Sequence, residues 1–261
     1  MSASTPPLHV VERGTGPRVV LVHGGTPQGG AAAFTAQSPL ARRWHLVLPD
    51  RPGHGATPAA GPHEDFDQDA DLLAPLLGEG AHLVGHSYGG LVALGMAVRQ
   101  PGQVRSLTLI EPPAFTFDRD NPIVAEMARV NQRLFEDPTI APADRLRQFF
   151  SLVGIDGKVP DPLPQPLHDV AASFATLRGP WEAEIDPADL VAGAFPILVL
   201  TSGKVAGFEA IAEAISARAG AKHLVVPGTD HAVQEAGEPV NHLLEDLWLA
   251  AESAARPTQT R

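Results

Sequence analysis

The chain has 261 residues, enough to bury a sizeable core, with the hydrophobic (44%) and charged (19%) content of an ordinary globular protein. Thirty acidic against nineteen basic residues give a formal charge of −11 without long like-charge blocks, which disfavours nucleic acid and anionic membranes as partners. The absence of cysteine excludes disulfides, thiolate metal sites and a Cys nucleophile.

Short runs rich in Val, Leu and Ile recur at 18–23, 45–48, 82–85, 107–110, 197–200 and 223–226. Each is nearly continuous in apolar character, as expected of strands covered on both faces. Helical patterns lie between them at 65–77, 88–99, 208–219 and 240–254. Alternation of strand and helix implies right-handed crossovers and a mostly parallel sheet, so the fold class is α/β. The tail 256–261 is expected to be disordered.

The alternation breaks once. Residues 112–194 show helical patterns near 123–135 and 142–152 but no strand, and they hold half of the aromatic residues. Such an insert reads as a mostly helical lid on a core domain made of 1–111 and 195–261. Its Pro-rich piece, 159–166, suits an extended connector. The aromatics Phe115, Phe117, Phe135, Phe149, Phe150, Phe174 and Trp181 have two open readings: they line a pocket, or they pack the insert onto the core.

Gly85-His86-Ser87-Tyr88-Gly89-Gly90 is a G-x-S-x-G sequence set between an apolar run and a helical run. That is the strand-turn-helix context of a nucleophile elbow, in which a sharp turn lifts the Ser hydroxyl above the sheet. The helix that begins there directs backbone N–H groups and its positive dipole end toward the reaction centre. Ser87 is therefore the expected nucleophile, and it needs a neighbouring base.

Among eleven histidines, His231 follows the last apolar run in Pro227-Gly228-Thr229-Asp230-His231. Loops at the carboxyl ends of strands are where chemistry occurs in open α/β sheets, so His231 is the expected base. Asp230 reads as a loop cap. His86 reads as a packing or hydrogen-bonding residue, His23 as a shaper of its loop, and His45, His82 and His223 as structural. His54, in Asp50-Arg51-Pro52-Gly53-His54-Gly55, is a candidate pocket residue. His23-Gly24-Gly25-Thr26 suits an oxyanion hole, since glycine lets the backbone approach a developing charge. The backbone N–H groups of Gly25 and Tyr88 are the nominated donors. Gly24, His54, Phe115 and Trp181 are the nominated substrate contacts.

Taken in order, His23-Gly24-Gly25, Asp50–Gly55, Gly85–Gly90 and Gly228–His231 make the chain resemble the α/β-hydrolase superfamily from about Pro17 to Ala254. The resemblance implies an eight-stranded sheet, a lid after the sixth strand, and a Ser, acid, His order along the chain. The acid usually follows the seventh strand, but that loop here, 200–207, carries no carboxylate, and Glu209 beyond it reads as helical. Glu111 stands at the end of the preceding strand, before Pro112 and Pro113, where proline disfavours helical geometry. In haloalkane dehalogenases, zearalenone-type lactone hydrolases and cofactor-free ring-cleaving dioxygenases, the acid follows this sixth strand. Glu111 is therefore the expected partner of His231, with Glu209 as the alternative.

These residues point to hydrolysis of a carboxylic ester or lactone, a small molecule of apolar or aromatic character. No metal or organic cofactor is expected, because no G-x-G-x-x-G or P-loop sequence is present. A cofactor-free dioxygenase, a C–C hydrolase, a lyase and a ligand receptor with a vestigial triad stay open as alternatives. No apolar run approaches the roughly 18 residues of a spanning helix. The first residues lack a basic and apolar leader, so a cytoplasmic protein, with a homodimer left open, is expected.

Overall fold

In the computed structural model, residues 7–25 and 28–255 are described; Thr26 and the tail 256–261 lie outside them. Seven strands occupy the apolar runs and one further stretch: β1 (Val10–Arg13), β2 (Arg18–Val22), β3 (His45–Pro49), β4 (Ala81–His86), β5 (Val104–Ile110), β6 (Ile197–Thr201) and β7 (Lys222–Val225). They form one sheet in the order β1-β3-β2-β4-β5-β6-β7. β1 pairs antiparallel with β3, and every other pairing is parallel.

The helices among the described residues are α1 (Gly30–Ala33), α2 (Phe66–Leu73), α3 (Tyr88–Arg99), α4 (Pro122–Glu136), α5 (Pro142–Val153), α6 (Gln165–Ser173), α7 (Pro187–Ala192), α8 (Ala206–Ala219) and α9 (Glu238–Ala255). Their placement explains why the strands are apolar throughout rather than alternating. Val20, Val22, Val47 and Leu83 point into a core shared with α2, α3 and α8. Their chain neighbours Val19, Leu21, Leu46, Leu48 and Val84 point into a second core beneath α9. Successive side chains leave a strand on opposite faces, and here both faces are covered. The second core centres on Trp44 and Trp248, whose rings lie 5.0 Å apart, with buried His82 against both.

Two expectations are corrected. The sheet has seven strands among the described residues where the resemblance implies eight. The helical insert therefore follows the fifth strand in chain order rather than the sixth. β1 itself escapes the sequence reading because two valines at a sheet edge leave little apolar pattern. The helix expected over 65–77 begins with Asp65 as its N-cap, accepting from the N–H groups of Asp67 and Gln68, and ends at Leu73. A 3₁₀ turn, Ala74–Leu77, follows around Pro75.

Between β5 and β6 the chain forms α4 to α7, and the periodic stretches read from sequence lie within α4 and α5. The extended connector covers 159–164 only, since α6 opens at Gln165, with Pro166 in its first turn, where a missing N–H costs nothing. Aromatic rings hold these helices together: Phe135 stacks on Phe174 at 4.8 Å, Phe149 meets Phe174 at 4.8 Å, and Trp181 stands edge-on to Phe135 at 5.8 Å. Arg178 ties the insert to the start of α2, bonding the carboxylates of Asp65 and Asp67 and lying over the Phe66 ring. No helix among the described residues is long and apolar enough to cross a membrane.

Candidate active site

The register of β4 on β5 places Ser87 and Glu111 at neighbouring strand ends. His86 pairs with Ile110, the Ser87 N–H donates to the Ile110 carbonyl (2.8 Å), and the Glu111 N–H donates to the Leu200 carbonyl of β6 (3.0 Å). Both residues leave the sheet in a left-handed backbone, φ 52° at Ser87 and φ 43° at Glu111. Side-chain-bearing residues adopt that region only where the surroundings enforce it. At Ser87 the enforcement comes from the flanking glycines. A Cβ on Gly89 would stand 2.3 Å from the His23 carbonyl oxygen, and one on Gly85 would stand 2.4 Å from that of Gly89. Ser87 is the N-cap of α3, yet its hydroxyl caps nothing. Serine is among the best N-caps, so leaving the hydroxyl out of that role frees it for another partner.

That partner is His231. Its Nε2 lies 2.9 Å from Ser87 Oγ, and its Nδ1 lies 2.7 Å from Glu111 Oε2. A carboxylate only accepts, so Nδ1 carries the proton and donates to Glu111, leaving Nε2 to accept from the serine hydroxyl. The other carboxylate oxygen of Glu111 accepts from the Ser202 N–H (2.8 Å) and the Ser202 hydroxyl (2.6 Å). Glu111 is fully buried. The imidazole is held on two sides, stacked on Phe208 at 5.1 Å and against the His86 ring at 5.0 Å. His86 also donates from Nε2 to the His231 carbonyl (3.0 Å), fixing the loop that carries that imidazole. Burial, with His231 adjoining, lowers His86 to about 3, so it stays neutral beside His231. Asp230 accepts from the Ala232 N–H (3.0 Å), as a loop cap does.

Glu209, the alternative acid, is elsewhere. Its Oε1 accepts from the Gly203 N–H (3.1 Å) and its Oε2 faces His223 (3.5 Å), because α8 turns it to the outer end of β6.

The glycine loop stands against the elbow. A Cβ on Gly24 would lie 2.9 Å from that of Ser87, and Gly25 lines the same cavity as Ser87 and Tyr88. Tyr88 is the first residue of α3, so helix geometry leaves its N–H without an intrahelical acceptor. Arg51 braces this loop from beneath. Its buried guanidinium donates to Asp69 (2.8 Å), Glu64 (2.9 Å) and the Gly24 carbonyl (3.1 Å), and it lies over the Tyr88 ring. Burial alone raises Glu64, but the hydrogen bond from His54 and the charge of Arg51 outweigh it and hold the carboxyl below its usual range. His23 completes the brace, donating to the Gly24 carbonyl (2.8 Å) and accepting from the Arg51 N–H (3.0 Å). Burial and the Arg51 charge hold His23 well below its ordinary value.

Above Ser87 is a cavity of about 260 Å³. Its wall includes Gly24, Gly25, Ser87, Tyr88 and His231, with Phe135, Phe149, Phe150 and Phe174 from the insert. The two sequence readings divide among the residues: Phe115 and Phe117 are buried in the main core, whereas Phe135, Phe149 and Phe174 pack on one another within the insert and face the cavity. Three nominated contacts do not line it. His54 is buried and donates to Glu64 (2.9 Å), and Phe115 and Trp181 line a separate depression beside the N-terminal half of α4, with Val124 and Ala128. Phe208, Asn131 and Gln234 line the cavity and were missed. Phe208 follows the end of β6, so the strand-end logic that finds His231 also reaches it. Among the described residues, no cluster of three or more His, Asp or Glu is arranged to hold a metal ion.

The Alpha/beta hydrolase family model matches residues 19–243. The chain belongs to that family. It is 32% identical over 253 residues to the 2-(acetamidomethylene)succinate hydrolase of Mesorhizobium japonicum, a match covering 87% of this chain and 86% of that one. It is 45% identical over 116 residues to a pimeloyl-[acyl-carrier protein] methyl ester esterase of Chromobacterium violaceum. That match covers 44% of this chain and 45% of the esterase, so it spans about half the length of that relative. Among solved structures, a thermophilic esterase from Thermogutta terrifontis superposes with a TM-score of 0.64 over 94% of each chain at 23% identity, which shows the shared hydrolase fold.

Two outcomes are expected from this α/β hydrolase geometry. Gly89→Ala forces a methyl group onto two backbone carbonyls and should cost about 1–3 kcal/mol, read as a lower urea midpoint; an unchanged midpoint would show that the elbow relaxes freely. Stability should also fall with acidity. His23, His82 (about 4) and His86 (about 3) titrate below their ordinary 6.5, so the unfolded chain takes up protons first as the pH drops. Their contribution is complete above about 6.5 and declines toward 4, by up to about 1.4 kcal/mol per pH unit for each. Urea midpoints at pH 7 and pH 5 check it.

Proposed function

We propose that the protein is a serine hydrolase that cleaves a carboxylic ester or lactone through an acyl-enzyme on Ser87. The observation that carries the reading is the continuous line from Glu111 through His231 to Ser87, ending beneath an apolar cavity. The relatives named as a methyl ester esterase and a hydrolase support cleavage of this general kind. In this reading residues 112–194 form a cap over a core made of 1–111 and 195–261.

Ser87 Oγ attacks the substrate carbonyl carbon as its proton passes to His231 Nε2. The backbone N–H groups of Gly25 and Tyr88 hold the oxyanion, where preorganised donors stabilise charge that develops only in the transition state. Collapse expels the alkoxide, protonated by His231; in a lactone the alcohol stays attached to the acyl group. Water, deprotonated by His231, then attacks the acyl-enzyme and restores Ser87. Glu111 holds the tautomer that keeps Nε2 free and stabilises the imidazolium. A cavity of about 260 Å³ lined by five phenylalanines favours a compact apolar or aromatic acyl group.

A fluorophosphonate should add one adduct to the wild type and none to Ser87→Ala, read by intact mass. Labelling of neither protein, or of both, would remove Ser87 as the nucleophile. Glu111→Gln should lower kcat on an aryl ester by roughly 10³- to 10⁴-fold with the circular dichroism spectrum unchanged, because an amide no longer enforces the tautomer. Activity within a few-fold of wild type would remove Glu111 from the mechanism.

A further inference from the structure

Ester cleavage at Ser87 leaves two buried amide oxygens of the cavity wall without a partner, those of Gln234 and Asn131. Gln234 stands with its Nε2 on His86 (3.4 Å), whereas Asn131 stands in an apolar stripe. The buried face of α4 reads Val124, Met127, Asn131, Leu134 and Phe135, the spacing of a single helical stripe. Four of those five residues are apolar, and the asparagine interrupts them where the helix meets the cavity. Asn131 is 4% exposed, and its Oδ1 is buried with no partner in the protein. A buried amide without a partner destabilises a fold, whereas leucine, of similar size, would complete the stripe. The same cavity wall carries the phenylalanines of the insert and no Lys or Arg among the described lining residues. A ligand carboxylate there would lack a counter-charge, whereas a neutral donor suits the uncharged Asn131 amide, whose Oδ1 has no partner in the protein.

We propose that Asn131 is a specificity-determining residue that accepts a hydrogen bond from the substrate. The substrate class is then narrower than an apolar ester. It is a compact aryl or alkyl ester or lactone carrying one neutral donor, a hydroxyl or amide N–H, on the portion held by the insert. This rests on the reading of Ser87 as the nucleophile. A site built to bond such a group discriminates against the analogue lacking it, because the buried acceptor is then left unpaired.

Methyl 3-phenylpropanoate and its 2-, 3- and 4-hydroxy and 4-acetamido derivatives form a matched probe series. kcat/KM is measured for wild type, Asn131→Leu and Asn131→Ala, and Kd for each ester is measured on Ser87→Ala and on Ser87→Ala combined with Asn131→Leu. At least one derivative should be preferred over the parent ester by about tenfold in both kcat/KM and Kd. Asn131→Leu should abolish or reverse that preference, as an apolar pocket disfavours an unpaired hydroxyl. The proposal is overturned if the parent is preferred over every derivative, or if the preference survives both substitutions at Asn131. No turnover of any ester, with the Kd preference intact and dependent on Asn131, would sink the hydrolase reading and leave the binding role of Asn131 standing.

Discussion

The carboxylate of Glu111 is the constraint on which the carboxyl end of the sheet depends. A fully buried anion is tolerated only when its oxygens are met by donors, since the desolvation cost is several kcal/mol per ion. Its donors come from separate parts of the chain: Ser202 at the end of β6 and His231 in the loop after β7. Three loops that share no sequence are thereby pinned to one point. The left-handed backbone at Glu111 is part of the same arrangement, because it turns the side chain along the ends of the strands instead of continuing β5. The short reach from β5 to His231 in turn fixes the imidazole opposite Ser87, the next residue off β4.

A second buried charge does the corresponding work under the glycine loop. Arg51 joins Glu64 at the edge of the insert, Asp69 on α2 and the Gly24 carbonyl, and its guanidinium lies over Tyr88. The Asp50–Gly55 stretch therefore builds the support of the site without reaching the cavity. Asp50 shows this most directly, accepting from the N–H groups of Gly30 and Ala56 (2.9 Å each) and from His9 (2.8 Å). Removing charge from this network would affect the chemistry through the position of the Gly24 and Gly25 backbone.

The residues that were legible in the sequence share one property: their position follows from the end of a strand. Ser87, Glu111 and His231 each stand just past an apolar run, and the parallel sheet brings such positions to one edge. Glu111 also drew on resemblance, because a glutamate before two prolines states a turn and not a partner. The cavity wall was less legible, since it depends on how helices of the insert rotate against the core. His54 looked like a pocket residue from its loop, but the Glu64 carboxylate beside it draws its ring inward. Phe115 and Trp181 are aromatic members of the right segment, set beside the N-terminal half of α4 and away from the cavity. Asn131 left only the trace of a polar residue in an apolar stripe, a pattern that a solvated helix face also produces.

The double use of the aromatic residues has a consequence for how this fold acquires specificity. Phe135, Phe149 and Phe174 form the internal packing of the insert and also the wall over Ser87. Changing one of these rings to reshape the cavity also removes packing, at a cost of about 3–5 kcal/mol for a phenylalanine cut to alanine. Discrimination is gained at lower cost from a residue that contributes little packing enthalpy and carries a directional group. A single amide at an otherwise apolar position meets that description: it alters what the cavity accepts while the ring cluster, and the Arg178 contacts that seat it on the core, stay as they are. The line of hydrogen bonds from Glu111 through His231 to Ser87 is insulated from such changes, because its members and Ser202 stand past strand ends and none lies in the insert.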